Sequence, residues 1–130
     1  NHLMLGHVMR WLYAGLLGIG QSDASVAYAA LVLKPQVVSG LEWAQGEFRS
    51  PRGRIASAWR REPGRLVLEV EVPVNATAEI HLPASPTAAL RESGRALEGR
   101  PDVSVGSRSA GAAVVAVGSG RYRFEVEEKP

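Results

Sequence analysis

The chain has 130 residues, 45% hydrophobic and 22% charged, with a net charge of +2 from 15 basic and 13 acidic side chains. That is the size and balance of one globular domain with a buried core, and charge this close to neutral and this evenly mixed argues against nucleic acid as a partner. The absence of cysteine excludes disulfides and thiolate metal sites.

The spacing of Leu5, Val8, Leu12 and Leu16 predicts a helix over residues 3–17. Leu3, Met4, Met9, Trp11, Tyr13 and Leu17 fill most of its remaining circumference, so it must be covered on several sides. Residues 3–19 contain His7, Arg10 and three glycines, lack a basic leader and fall short of the ~20 residues that span a bilayer. A membrane role is therefore not assigned, and self-association through residues 3–19 is expected if nothing else covers them. Gly18, Gly20, Ser22 and Asp23 should end the helix, with a crossing segment over residues 20–30.

From residue 31 the apolar period changes to two. A short strand at 31–33 is stopped by Pro35. Strands at 42–49 and 54–61 flank Ser50-Pro51-Arg52-Gly53, with Pro and Gly where a type I turn favours them. This turn sets Phe48 against Ile55, Gly46 against Ser57 and Ala44 against Trp59, all on one face. The next turn, Glu62-Pro63-Gly64-Arg65, sets Trp59 against Leu68, Ser57 against Val70 and Ile55 against Val72. Two turns assigned separately give one register. It leaves Arg54, Arg60, Glu47, Glu69, Glu71 and Trp43 on the outer face.

Further strands are expected at 76–82, 88–91, 112–117 and 121–126, with Gly118-Ser119-Gly120 joining the last two and a loop over 93–111. The fold class is mainly β: an antiparallel β-sandwich of about seven or eight strands preceded by one N-terminal α-helix.

Little in the sequence points to chemistry. Its acids stand mostly on outward strand positions beside arginines, where cross-strand pairing accounts for them, so no catalytic residue is assigned. His2 and His7 do not have the spacing of a helical metal pair and His81 stands alone on a strand, so neither metal nor cofactor is expected. There is no Gly-x-Ser-x-Gly elbow. His2 is open to two readings, a residue at a helix start or a sugar contact. Trp11 and Trp59 read as core, whereas the register places Trp43 outside, suited to a neighbouring domain or a sugar ring.

Asn1-His2-Leu3-Met4-Leu5-Gly6 with Trp11-Leu12-Tyr13, then Leu33-Lys34-Pro35, Leu41-Glu42-Trp43-Ala44, and the Ser50-Pro51-Arg52-Gly53 hairpin with Ile55, Ser57 and Trp59 occur in a distinctive order. With the closing Gly118-Ser119-Gly120-x-Tyr122-x-Phe124, the chain resembles the C-terminal part of bacterial α-L-rhamnosidases, inverting glycoside hydrolases. The resemblance implies a terminal helix and linker of an (α/α)6 catalytic barrel at 1–30 and a noncatalytic C-terminal β-sandwich domain at 31–130. It implies that the acid and base glutamates lie upstream in the missing barrel and that the chain alone is inactive. It also implies that His2, and less directly Asn1, line the pocket for a rhamnose-containing glycoside. The expected setting is soluble, in the bacterial cytoplasm, the periplasm or outside the cell. Two other readings stay open on the residues alone: a carbohydrate-binding sandwich that stacks sugar on Trp43, and a protein-interaction sandwich.

Overall fold

A computed structural model describes residues 17–21, 29–37, 39–97, 100–108 and 111–127. These residues form two sheets. The strands are β1 (Ile19–Gln21), β2 (Ala30–Leu33), β3 (Trp43–Ser50), β4 (Gly53–Glu62), β5 (Arg65–Val72), β6 (Thr77–Pro83), β7 (Leu90–Glu92), β8 (Arg95–Ala96), β9 (Val103–Arg108), β10 (Ala112–Val117) and β11 (Gly120–Glu127). One sheet has the order β1-β2-β6-β10-β9 and the other β3-β4-β5-β11-β7-β8.

Period-two patterning builds the core. Along β4, Ile55, Ser57 and Trp59 are buried, and along β5 so are Leu66, Leu68, Val70 and Val72. Leu31, Leu33, Ile80, Leu82, Ala113 and Val115 answer from the other sheet, and Phe124 and Val126 from β11. These side chains form one continuous cluster, so the two sheets make a single sandwich. The register expected from the first two turns is the observed one: Phe48 faces Ile55, Gly46 faces Ser57, and Trp59 lies between Ala44 and Leu68. The expected Ile55–Val72 pair falls one step beyond the β4–β5 ladder, which ends at Ala56–Glu71.

Four expectations are corrected. The described residues hold eleven strands, more than the seven or eight expected. One pairing, β2 with β6, is parallel, because the β3-β4-β5 meander between them lies wholly in the opposite sheet. Residues 93–111 are not a plain loop. Ser93 and Gly94 both have positive φ and close the tight β7–β8 hairpin, as a type I′ turn requires, and β9 follows. The crossing segment at 20–30 contains most of β1, which pairs antiparallel with β2. Gly18 makes this possible: with φ +65, its carbonyl accepts from the Lys34 amide at 2.9 Å, and a Cβ there would lie 2.0 Å from the Lys34 carbonyl carbon.

The Gly118-Ser119-Gly120 connection carries the chain from one sheet to the other, since β10 and β11 lie in different sheets. Tyr122 reaches back to this corner, its hydroxyl donating to the Gly118 carbonyl at 3.1 Å. The tyrosine corners of other sandwiches fix such crossings in the same way. The helix expected over residues 3–17 lies outside the described residues apart from Leu17, which is buried in the core and whose carbonyl accepts from the Ser57 hydroxyl at 3.2 Å.

Candidate functional site

The outer face of the six-stranded sheet gathers the polar side chains that alternation keeps out of the core. On it Trp43 lies across from Arg60, Gln45 across from Ala58 and Glu47 across from Ala56. On the far side of β4, Ala58 faces Glu69 and Ala56 faces Glu71. Two alanines between longer neighbours leave a trough along β4, floored by Ala56 and Ala58 and walled by Gln45 and Glu47 on one side and Glu69 and Glu71 on the other.

Arginines close and neutralise the trough. Arg54 bridges its two walls at one end, pairing with Glu47 and, at 3.1 Å, with Glu71. Arg60 stands at the other end, 2.6 Å from Glu62 and 3.7 Å from Glu69. Arg121 and Arg123 add contacts of 3.5 Å to Glu71 and Glu69. Hydrogen bonds from Arg60 and Arg65 hold the Glu62 carboxyl below its usual range. Exposed pairs of this kind add little stability individually. Val67 points to the same outer face between Arg60 and Glu125 yet is fully buried.

A second polar cluster lies at the other edge of the sheet. Glu92 is only 4% exposed. Its carboxylate accepts from the Ser93 hydroxyl, from the Arg123 amide at 3.1 Å and from Arg100 at 2.7 Å. Burial alone would push this carboxyl up, but the three hydrogen bonds and the Arg100 charge outweigh it and hold it down. Asp102 is likewise held down by its hydrogen bond from Arg100. In β9 an extra residue near Gly106 breaks the ladder with β10, a bulge that re-aims the following side chain. Arg108 then donates to the Ser85 and Ala88 carbonyls at 3.0 and 2.7 Å, while its buried Nε has no hydrogen-bond partner among the described residues.

Trp43 is 62% exposed at the start of β3, on the outer face as expected, whereas Asn1 and His2 lie outside the described residues. His81 contacts Glu79 at 3.2 Å, and among the described residues no three potential ligands are placed to hold a metal. No helix of the described residues is long and apolar enough to cross a membrane. Sequence reasoning missed Glu92 and Arg100 because Arg100 was read as part of a loop. It missed the trough although a signal was present: two small outward residues, Ala56 and Ala58, between Arg54 and Arg60.

The three described acids with displaced pKa values, Glu62, Glu92 and Asp102, are all pushed down. A general acid needs the opposite shift. The fold is a two-sheet β-sandwich around one core. Residues 18–96 match the bacterial alpha-L-rhamnosidase C-terminal domain, and the chain belongs to that family. It is 32% identical over 126 residues to an alpha-L-rhamnosidase of Streptomyces avermitilis, an alignment covering 97% of this chain and 11% of that protein. The crystal structure of a Streptomyces avermitilis alpha-L-rhamnosidase complexed with L-rhamnose superposes with a TM-score of 0.78 at 30% identity, over 94% of this chain and 11% of that one. The alpha-L-rhamnosidase from Dictyoglumus thermophilum superposes with a TM-score of 0.81 over 96% of this chain and 14% of that one; at 24% identity this likeness speaks for the fold alone. The chain thus spans about a tenth of the length of the curated relatives it matches.

Proposed function

We infer that the chain is the closing, noncatalytic part of an α-L-rhamnosidase that removes terminal α-L-rhamnosyl residues from glycosides with inversion. The observation that carries this reading is the family match over residues 18–96 in a chain spanning about 11% of its Streptomyces relative. In the whole enzyme the acid and base glutamates belong to the barrel upstream. Residues 1–30 supply the barrel's terminal helix and linker, and residues 31–130 the sandwich, with β1 recruited from the linker as an edge strand. His2, with Asn1 beside it, lines the rhamnose pocket; the L-rhamnose bound by the Streptomyces protein supports that substrate class.

The sandwich stabilises the barrel by packing against it. Leu17 is anchored to β4 through the Ser57 hydroxyl. Trp43, exposed with Leu41 at one corner of the sheet, is the domain contact. Without a barrel to cover residues 3–16, isolated chains associate through them; Leu17 and Ile19 of the expected 3–19 stretch are already buried in the sandwich core.

The test is hydrolysis of an aryl α-L-rhamnoside by the full product of the natural locus and by the 130-residue chain. The reading expects turnover from the first and none above a buffer blank from the second. Turnover by the short chain, or none by the full product, overturns it.

A further inference from the structure

We propose that the trough over Ala56 and Ala58 is a sugar-binding site that takes one neutral pyranoside ring. The proposal rests on the rhamnosidase reading only for the identity of that sugar, a rhamnoside. Its walls stand on β3 and β5, one strand to either side of β4, so they are about 10 Å apart, and the two alanines span about 7 Å along the strand. That is the footprint of a single ring, bounded at both ends by Arg54 and Arg60.

The lining suits hydroxyls. Each sugar hydroxyl donates one hydrogen bond and accepts others, so it needs acceptors and donors side by side. Glu47, Glu69 and Glu71 offer carboxylate lone pairs not spent on their ion pairs. Arg54 and Arg121 offer N–H donors beyond those used, and Gln45 offers both kinds. The carboxylates are matched by arginines, so the trough has no strong net charge with which to select an ion. The alanine floor meets the apolar C–H face of a ring.

The test is an NMR amide titration of the full 130-residue chain with methyl α-L-rhamnopyranoside and, separately, methyl α-D-glucopyranoside. The expected result is saturable shifts at Gln45, Ala56, Ala58 and Glu69 with the rhamnoside, at a dissociation constant of about a millimolar, as suits one ring in an open site. Ala58→Gln, an exposed-face change that fills the floor, should weaken binding about tenfold or more while leaving the melting temperature nearly unmoved. Shifts at the trough with the glucoside alone would overturn the rhamnoside assignment. No saturable shift with either sugar, or shifts that Ala58→Gln leaves unchanged, would overturn the site itself. Neither result touches the rhamnosidase reading of the whole protein, which stands or falls on hydrolysis by the full product.

Discussion

Glu92→Gln tests the polar clamp at the β7 edge. The carboxylate holds three donors at once, from Ser93, Arg123 and Arg100. A glutamine with its oxygen at the Oε2 position still accepts from the Ser93 hydroxyl and the Arg123 amide, but its NH2 then confronts the Arg100 guanidinium at the Oε1 position. The charge-assisted bond from Arg100 is lost and the other two are weakened. A bond to a charged group contributes about 1.5–3 kcal/mol against about 1 for a neutral one, so the net loss is about 2 kcal/mol near neutral pH. For a domain of this size that lowers the melting temperature by roughly 6–10 °C. The pH dependence is more specific. Because the Glu92 carboxyl is depressed in the folded state, its stabilising contribution is complete above its ordinary value of 4.5 and disappears as pH falls through the depressed one. Glu62 and Asp102 are also depressed, so both proteins lose stability in acid, and the difference between them isolates Glu92. Urea unfolding followed by circular dichroism from pH 7 to pH 3 measures that difference. It should be largest at neutral pH and shrink toward acid. A gap below about 0.5 kcal/mol at pH 7, or one that persists undiminished in acid, would refute the clamp.

Three further outcomes are expected. Trp59, 1% exposed between Ala44 and Leu68, leaves a large cavity as Trp59→Ala and should cost about 3–5 kcal/mol in urea unfolding; a cost under about 1 kcal/mol would mean it is not a core residue. Gly18→Ala puts a Cβ 2.0 Å from Lys34, so β1 should detach, with amide exchange at Ile19 and Gly20 rising to solvent-like rates while β4 and β5 stay protected. Unchanged protection at Ile19 would contradict the close approach. Trp43→Ala should change the stability of the isolated chain by no more than about 0.5 kcal/mol, yet lower the melting temperature of the full enzyme by several degrees; equal effects in both would remove Trp43 from the domain contact.

The central meander was legible almost residue by residue, because the Pro51–Gly53 and Pro63–Gly64 turns set one register and alternation holds along β4 and β5 except at Val67, an apolar residue on the outer face. It failed where the signal was short or non-local. β1 has three residues and depends on a backbone contact between Gly18 and Lys34 that no period reveals. The β7–β8 hairpin is announced only by Ser93-Gly94, and the two-residue β8 is too short to show alternation. The parallel β2–β6 pair is a consequence of topology, since nothing in residues 30–33 favours parallel over antiparallel bonding. At the candidate site, the outward place of Trp43 was legible from register alone. Glu92 was not, because its burial depends on Arg100 returning from eight residues away across a stretch rich in Gly, Ser and Arg.

If this sandwich closes a larger hydrolase whose proton-transfer groups lie upstream, sequencing the natural locus upstream of the Asn1 codon should find an open frame that runs on through several hundred codons and encodes barrel helices and a pair of glutamates. A start codon or an in-frame stop close to Asn1 would contradict it.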